Sequence, residues 1–338
     1  MEKEMRENLL VTLPYIVNNL PKKMMRNSLL TLVFFISAYV AKAQELTIPQ
    51  LSQYLADNPF VMSPTYAGIG DHVKIRLNGL TQWVGIKDAP DTQSLAADMR
   101  IGEKSGIGTL LYNDSNGETK QRGARLSFAH HLTLDRYDDE FLSFGLSYNF
   151  NQFRIDIQNF DALDPSVTDD RATTNHNFDV GMLYRYDKFY FSVNASNILD
   201  KDLSNFNPIF EPNRLRNYYV YTGYRYMKKR TSKVEVEPSI FFQLFESDGR
   251  SVTDLNLKFR FYDFEDYYYA GINYRFLNDQ IGNPLYIAPI AGLKKSNFYF
   301  GYSYQVILNE LLGYSSGTHV VTLGVDLFQG ISNCRCTY

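Results

Sequence analysis

Residues 140–153 read EFLSFGLSYNFNQF, a stretch in which apolar and small polar residues alternate. Alternate side chains of an extended strand point to opposite faces. One face would carry Leu142, Phe144, Leu146, Tyr148 and Phe150. The other would carry Ser143, Gly145, Ser147, Asn149 and Asn151. A soluble sandwich and a lipid-facing barrel both produce this alternation, so the choice depends on how often it recurs.

The alternation recurs along most of the chain. It predicts fourteen strands, at residues 73–83, 95–101, 106–112, 124–134, 140–153, 177–186, 189–197, 217–227, 234–245, 252–262, 267–276, 285–293, 298–306 and 319–328. Their connections differ by parity: the odd-numbered ones, such as 154–176 and 198–216, are mostly long, and the even-numbered ones are short. Short periplasmic turns, longer outer loops and an even strand number are typical of outer-membrane barrels. We therefore predict an all-β fold, a transmembrane antiparallel β-barrel of about 14 strands, with 12 or 16 as alternatives, over residues 72–329 and with both termini periplasmic.

The first 43 residues resemble a secretory signal peptide. Lys22, Lys23 and Arg26 precede an apolar run at residues 29–40, and Ala41-Lys42-Ala43 fits a small-x-small cleavage pattern. The true start is possible at Met24 or Met25. The run of about a dozen residues is too short for a membrane-spanning helix, which needs about 20. We expect an exported chain that is integral to the cell outer membrane.

Composition and net charge indicate which partners are expected. The chain holds 26 Tyr and 24 Phe, and Lys+Arg 34 against Asp+Glu 37 gives a net charge of −3. Tyrosine is common in strands and at membrane interfaces. Without a basic stripe, nucleic acid is not an expected partner.

Six arginines fall on the polar faces of the predicted strands. In a barrel these residues would be lumen-facing: Arg100, Arg125, Arg185, Arg225, Arg260 and Arg275. Asp98, Asp179 and Asp326 would partly offset them. Ordinary lumen-filling charge is the favoured interpretation, and selectivity for anions or polypeptides is the alternative.

The lead-in at residues 44–71 is too apolar for a free tail, because it contains Tyr54, Phe60, Met62 and Tyr66. Our hypothesis is that it folds into the periplasmic mouth as a plug. Pro59, Pro64 and Gly68 would shape its turns.

Two blocks, one in this lead-in and one at residues 82–90, resemble the PorP/SprF family of type IX secretion membrane proteins. The motif residues are Gln53, Tyr54, Asn58, Pro64, Tyr66, Ala67 and Gly68 in the first block, and Gln82, Trp83, Gly85 and Pro90 in the second. Ser63, Thr65 and Asp88 depart from the usual pattern of the family. These departures leave the branch of the family open, with the branch that partners a gliding adhesin as one possibility.

The resemblance implies an outer-membrane barrel of the type IX secretion and gliding system of Bacteroidota. Such a barrel would bind a large secreted adhesin through its C-terminal domain and help export or anchor it, or would link to periplasmic or outer-membrane type IX components. Candidates for partner binding lie in two long outer connections: Asp161, Asp164, Phe206 and Phe210. An outer-membrane channel for small or hydrophobic solutes is the alternative function.

Enzymatic and metal sites have weak signals in this sequence. A triad would need Ser127 and His131, which share one face of a strand, and an acid such as Asp98 from a neighbouring strand, so we predict no catalytic residue, no cofactor and no enzyme activity. Residues 113–118 favour a hairpin turn over a calcium loop, and a solvated loop is preferred to calcium binding at residues 161–170. We assign no metal site, and no role to Cys334 and Cys336 in the tail at residues 330–338.

Overall fold

The computed structural model describes residues 53–135, 137, 139–155, 171–200, 215–229, 232–282, 284–308, 313 and 315–328. The predicted signal peptide and the cysteine tail lie outside these residues. The four candidate partner-binding residues in the outer connections, Asp161, Asp164, Phe206 and Phe210, also lie outside them.

The described residues form short 3-10 helices followed by strands. The helices are Gln53–Ala56, Pro59–Val61 and Pro64–Tyr66. The strands are β1 (Val73–Thr81), β2 (Asp91–Arg100), β3 (Ser105–Asn116), β4 (Thr119–Asp135), β5 (Glu140–Ile155), β6 (Arg171–Tyr186), β7 (Phe189–Ser196), β8 (Asn217–Tyr224), β9 (Tyr226–Met227), β10 (Val234–Phe245), β11 (Ser251–Asp263), β12 (Asp266–Leu277), β13 (Tyr286–Lys295), β14 (Phe298–Ile307) and β15 (Thr318–Leu327). No helix within the described ranges has the length and apolar content to cross a membrane.

The strands close into one antiparallel barrel. Each strand pairs with its sequence neighbours, and β1 pairs with β15 from Val73 opposite Leu327 to Thr81 opposite His319. Segments β8 and β9 are one barrel strand, because both pair with β10 in an unchanged register. The break between them lies opposite Glu237 and Pro238, and proline has no N–H to donate. The barrel therefore has fourteen strands, as the alternation predicted.

The two faces of β5 are those that its sequence predicted. Phe144 and Leu146 are exposed on the outside, where lipid would cover them, whereas Ser143 and Ser147 are buried inside the barrel. The same alternation places Leu77 outside and Arg76 inside on β1. Apolar residues thus form the outer surface, and polar residues face the lumen.

Several sequence-based boundaries were wrong: β2 begins at Asp91 and β6 at Arg171, both earlier than predicted, and two further boundaries also differ. The predicted long connection at residues 113–123 is a two-residue turn, because β3 continues to Asn116 and β4 begins at Thr119. Strand β1 ends at Thr81, and Trp83 has a φ of 47° and lies in the loop beyond it. The error at residues 113–123 arose where the strands leave the apolar band, since the alternation of apolar and polar residues stops there while the backbone pairing does not. At Trp83 the opposite holds, because the alternation continues past Thr81, where the pairing ends.

The facing of β5 predicts unequal effects of mutation at adjacent residues. Leu146→Arg should cost about 2–4 kcal/mol of unfolding free energy, because Leu146 faces the bilayer. From sequence alone, arginine at Ser147 would be mild in an open lumen. The structure argues against that, since Ser147 is buried and its Oγ lies 2.9 Å from the Ser127 Oγ. We therefore expect Ser147→Arg to be destabilising and only a small substitution, such as Ser147→Ala, to be mild. Equilibrium unfolding in lipid vesicles can measure the unfolding free energy of each variant.

Candidate functional site: the lumen segment and its wall

Residues 53–68, here called the lumen segment, lie inside the barrel. Tyr54, Phe60, Val61 and Met62 are buried there in one apolar cluster with wall residues. The wall residues of this cluster include Leu183, Tyr190, Tyr219, Phe241 and Tyr269. The centre of the barrel is therefore occupied by the chain's own N-terminal part.

Proline and capping residues shape the lumen segment. Pro59 and Pro64 each begin a 3-10 turn, a position at which the missing N–H of proline costs nothing. The Ser63 Oγ accepts a hydrogen bond from the Thr65 N–H at 3.3 Å. Gly68 has a φ of 73°, a conformation that glycine adopts without strain. The segment can therefore turn repeatedly within the width of the barrel.

Glycines on the inner wall make room for the lumen segment. A Cβ added at Gly145 would lie 2.5 Å from the Thr65 nitrogen, and one at Gly108 would lie 2.5 Å from the Phe60 ring. At Gly106 it would collide with the Ala67 carbonyl, and at Gly181 it would lie 2.7 Å from the Ser63 Oγ. The backbone of β3, β5 and β6 thus approaches the segment to van der Waals distance, because glycine has no side chain.

Ion pairs join the lumen segment to the opposite wall. Asp57 pairs with Lys258 at 2.7 Å and with Arg260, and it accepts a hydrogen bond from the Tyr267 hydroxyl at 2.9 Å. Arg260 also pairs with Glu235 and Glu237. Burial alone would raise the pKa of Asp57, but the facing Arg260 and Lys258 hold that pKa well below its usual value. Asp57 is therefore a carboxylate fixed in a buried network.

Further hydrogen bonds hold the rest of the segment. Arg125 donates to the carbonyls of Phe60 at 2.6 Å and Val61 at 3.0 Å. The Gly68 N–H donates to Asp98 at 3.0 Å, and the Tyr54 hydroxyl donates to Asp254 at 2.6 Å. These contacts come from β2, β4 and β11, so the segment is bound around the barrel and not along one side only.

A cavity of 420 Å³ remains between the lumen segment and the wall. Its lining includes Arg185, Lys188 and Arg225 on the β6 to β9 side and Arg76, Lys294 and Asp326 on the β1, β13 and β15 side. Lys188 lies in the turn between β6 and β7, Lys294 is next to the end of β13, and Asp326 is next to the end of β15. The cavity therefore lies at the barrel end formed by the short turns.

Comparison with known families decides the identity. Residues 43–325 match the family described as type IX secretion system membrane protein PorP/SprF. The chain belongs to this family. A comparison with curated proteins finds no match.

Two solved structures similar to this PorP/SprF protein are distant from it in sequence. The TodX monoaromatic hydrocarbon channel, as a deltaS2 mutant, has a TM-score of 0.50 at 8% identity, with 79% of this chain and 92% of that chain covered. BamA from Haemophilus ducreyi lacking POTRA domains 1–3 has a TM-score of 0.40 at 8% identity, with coverage of 76% and 70%. The likeness to TodX, at that identity, shows the barrel fold alone. Together with the family match, it makes this chain a type IX secretion outer-membrane β-barrel.

The first motif block of the family is part of the lumen segment. Tyr54, Asn58, Pro64, Tyr66 and Ala67 are all buried inside the barrel. Gln53 begins the first 3-10 turn, and Gly68 ends the segment. The family motif in this region thus coincides with the residues that pack against the wall.

The second motif block forms the outer loop between β1 and β2. The Val84 N–H donates to the Gly317 carbonyl at 3.0 Å, and the Ser316 N–H donates to the Val84 carbonyl at 2.7 Å. The Gln82 N–H donates to the Pro90 carbonyl at 2.8 Å. Trp83 and Gly85 have positive φ angles of 47° and 103° within this loop. The motif therefore fastens one outer loop to the loop before β15, a role that the strand pattern did not reveal.

The six predicted lumen arginines do not form an open basic band. Arg100, Arg125, Arg260 and Arg275 are buried, and Arg275 pairs with Asp254. The Arg185 guanidinium lies 4.9 Å from the centre of the Phe141 ring. Arg225 is half exposed, lies 3.9 Å from Glu237, and occupies the interruption between β8 and β9. Internal contacts therefore engage most of this charge.

The candidate triad residues lie on the inner wall but are not joined to one another. The His131 Nδ1 lies 2.8 Å from the Ser143 Oγ, and its Nε2 lies 3.0 Å from the Ala67 carbonyl oxygen. Ser127 is hydrogen-bonded to Ser147, and Asp98 accepts from Gly68. Residues 113–118 form the β3–β4 hairpin. Across the described part of the chain, His, Cys, Asp and Glu side chains form no group of three that could hold a metal ion.

Proposed function

We propose that this PorP/SprF barrel binds a large secreted surface adhesin by its C-terminal domain and helps to export or anchor it at the cell surface. The observation that carries the proposal is the packing of the lumen segment against wall glycines and buried ion pairs. Because the lumen segment fills the barrel, a protein partner would bind outside the lumen. The barrel would then serve as a binding scaffold. Neither enzyme activity nor a cofactor is part of the proposal.

The outer ends of the strands offer the surface for such a partner. Strands β5 and β6 have 16 residues each, whereas β7 has eight and pairs only with Val180–Tyr186 of β6. The wall around β5 and β6 is therefore taller than its neighbour. The connections that carry Asp161, Asp164, Phe206 and Phe210 join β5 to β6 and β7 to β8, on either side of this step. Loops on a rigid scaffold are common binding sites, and aromatic side chains are common anchors.

Export to the outer membrane would follow from the predicted signal peptide at residues 1–43, with cleavage after Ala43. N-terminal sequencing of the protein isolated from outer membranes tests this step. A mature N-terminus at Gln44 supports it, whereas a retained leader contradicts it.

A channel for small or hydrophobic solutes is the competing function. Transport would require that the lumen segment leave a continuous path through the barrel or move aside. In planar bilayers, we expect the intact barrel to be closed, and we expect deletion of residues 44–68 to open a stable conductance. If the deletion leaves conductance unchanged, the segment does not act as a plug.

Co-purification tests the proposed function itself. Barrel extracted from outer membranes in mild detergent should carry a large surface protein in stoichiometric amount, and the double change Phe206→Ala and Phe210→Ala should reduce its recovery. The matched control is Tyr302→Ala, on the lipid-facing side of β14, which should leave the recovery of the surface protein unchanged. An isolated monomer with open-channel conductance would instead support the transporter.

A further inference from the structure

The barrel end formed by the short turns carries phenylalanines whose side chains are mostly exposed. Phe264, Phe298 and Phe328 are 97%, 70% and 72% exposed. Phe264 lies in the turn between β11 and β12, Phe298 begins β14, and Phe328 follows β15. These three residues, here called the phenylalanine rim, belong to neighbouring parts of the barrel circumference.

Hydrogen bonds fix these turns to one another. The Ser296 N–H donates to the Asp266 carboxylate at 2.6 Å, which joins the β11–β12 turn to the β13–β14 turn. The Asn297 side-chain amide donates to the Asp326 carbonyl at 2.7 Å, and the Asp326 N–H donates to the Asn297 carbonyl at 2.8 Å. The phenylalanines are therefore presented by one connected surface, and a partner would not have to order three separate turns.

The backbone at Phe264 and Phe328 is unfavourable for phenylalanine. Their φ angles are 59° and 52°, in the left-handed region that a bulky side chain rarely adopts. Other short turns of this barrel place Asp139, Asp187 and Ser296 at similar angles. Short polar side chains are better suited to that conformation. Phenylalanine at position 264 is therefore unfavourable for folding in two ways: its backbone has a positive φ angle, and its apolar side chain is exposed.

We propose that the phenylalanine rim is a docking surface for a periplasmic protein with an apolar pocket ringed by basic side chains. Short turns and both ends of the strand sequence lie on the periplasmic side of outer-membrane barrels. Asp263, Glu265 and Asp266 flank Phe264, so a basic partner is complementary in charge. Exposed aromatic side chains are typical anchors of protein interfaces. This surface lies at the opposite end of the barrel from the outer loops and is independent of adhesin binding.

Lipid is the alternative environment for an exposed aromatic residue. Outer-membrane barrels carry aromatic girdles at both membrane interfaces, and Phe298, which follows Lys294 and Lys295 and shares the outward side of β14 with Phe300, is placed as a girdle residue would be. Phe264 differs, because it lies in a turn and its neighbours are carboxylates, so Phe264 is the residue that separates docking from lipid contact. Asp263 has one cation nearby, Lys233 at 3.6 Å, and both side chains are mostly exposed. Such a pair is weak and leaves the local charge available to a partner.

Fluorescence quenching separates these two environments. Phe264→Trp would be made in a Trp83→Phe background, since Trp83 is the only tryptophan of the chain, and reconstituted in phosphatidylcholine vesicles with brominated acyl chains. The matched control is Phe259→Trp, on the lipid face of β11. We expect quenching at position 259 and little at 264. Equal quenching at both positions would overturn the proposal.

Binding tests the partner directly. A photo-crosslinking amino acid at position 264 should yield one discrete adduct in intact cells, and the protein in it can be purified and its affinity for the whole barrel measured. We expect Phe264→Asn and Glu265→Lys each to weaken that affinity about tenfold or more, which is about 1.4 kcal/mol. The control Asp187→Asn, on another short turn, should leave it unchanged.

The folding of the variant is checked separately. Asparagine suits a positive φ, so Phe264→Asn should unfold at the same temperature as the parent protein or higher. Lack of any adduct from position 264, or an affinity that Phe264→Asn does not change, would show that the phenylalanine rim is not a docking surface.

Discussion

Arg260→Met is expected to reduce the unfolding free energy of the barrel by about 3–5 kcal/mol, because it leaves buried carboxylates without their main partner. Arg260 pairs with Asp57, Glu235 and Glu237, and its side chain is 6% exposed. Lys258 would remain near Asp57 and Glu237, but no cation within the described ranges would then pair with Glu235. Equilibrium unfolding in detergent or lipid measures the change.

Arg216→Met is the matched control. Arg216 also pairs with two carboxylates, Asp200 and Glu246, each at 3.0 Å, but these side chains are partly exposed to solvent. Exposed pairs are typically worth about 0–1 kcal/mol. Equal losses for the two variants would mean that the buried network does not stabilise the docked lumen segment.

Gly145→Leu is expected to displace the lumen segment, because a side chain at Gly145 has no space. Its Cβ would lie 2.5 Å from the Thr65 nitrogen and 2.7 Å from the Pro64 carbonyl carbon, and backbone atoms cannot move aside as a flexible side chain can. Overpacking of this kind typically costs about 1–3 kcal/mol. Limited proteolysis should show new cleavage within residues 53–68, which we expect to be protected in the parent protein because they are buried inside the barrel.

Two comparisons make this result specific. Gly79→Leu is the control, since Gly79 is also a strand glycine but a Cβ there meets nothing within 4 Å. It should leave the protease pattern unchanged. In a chain that lacks residues 44–68, Gly145→Leu should cost little, because its effect depends on the segment. A similar cost with and without the segment would place the clash elsewhere in the barrel.

Much of the barrel could be predicted from the sequence. The two-residue period fixed which side chains of β5 face outward, since a strand buried on one side cannot shift by one residue without exposing the wrong face. The predicted order and number of strands are confirmed. Predictions failed at the outer ends, as at residues 113–123, because there water contacts both faces and selects no alternation.

The lumen segment was harder to predict in detail. Its aromatic residues indicated burial, but its contacts join residues far apart in the chain: Asp57 and Arg260 are 203 positions apart. No local period encodes such a pair. The wall glycines gave no signal either, because a glycine in a strand has several explanations until the facing backbone is known.

The sequence by itself determined the class of fold, the strand order and the family, because these depend on local periodicity and on short motifs. Only the tertiary structure decided how the lumen is used. It brought Asp57 to Lys258 and Arg260, placed Gly145 and Gly106 against the backbone of the lumen segment, and joined the turns that present the phenylalanine rim. The physical reason is that closing a barrel places strands distant in sequence around one narrow space, where steric fit and ion pairing select the contacts.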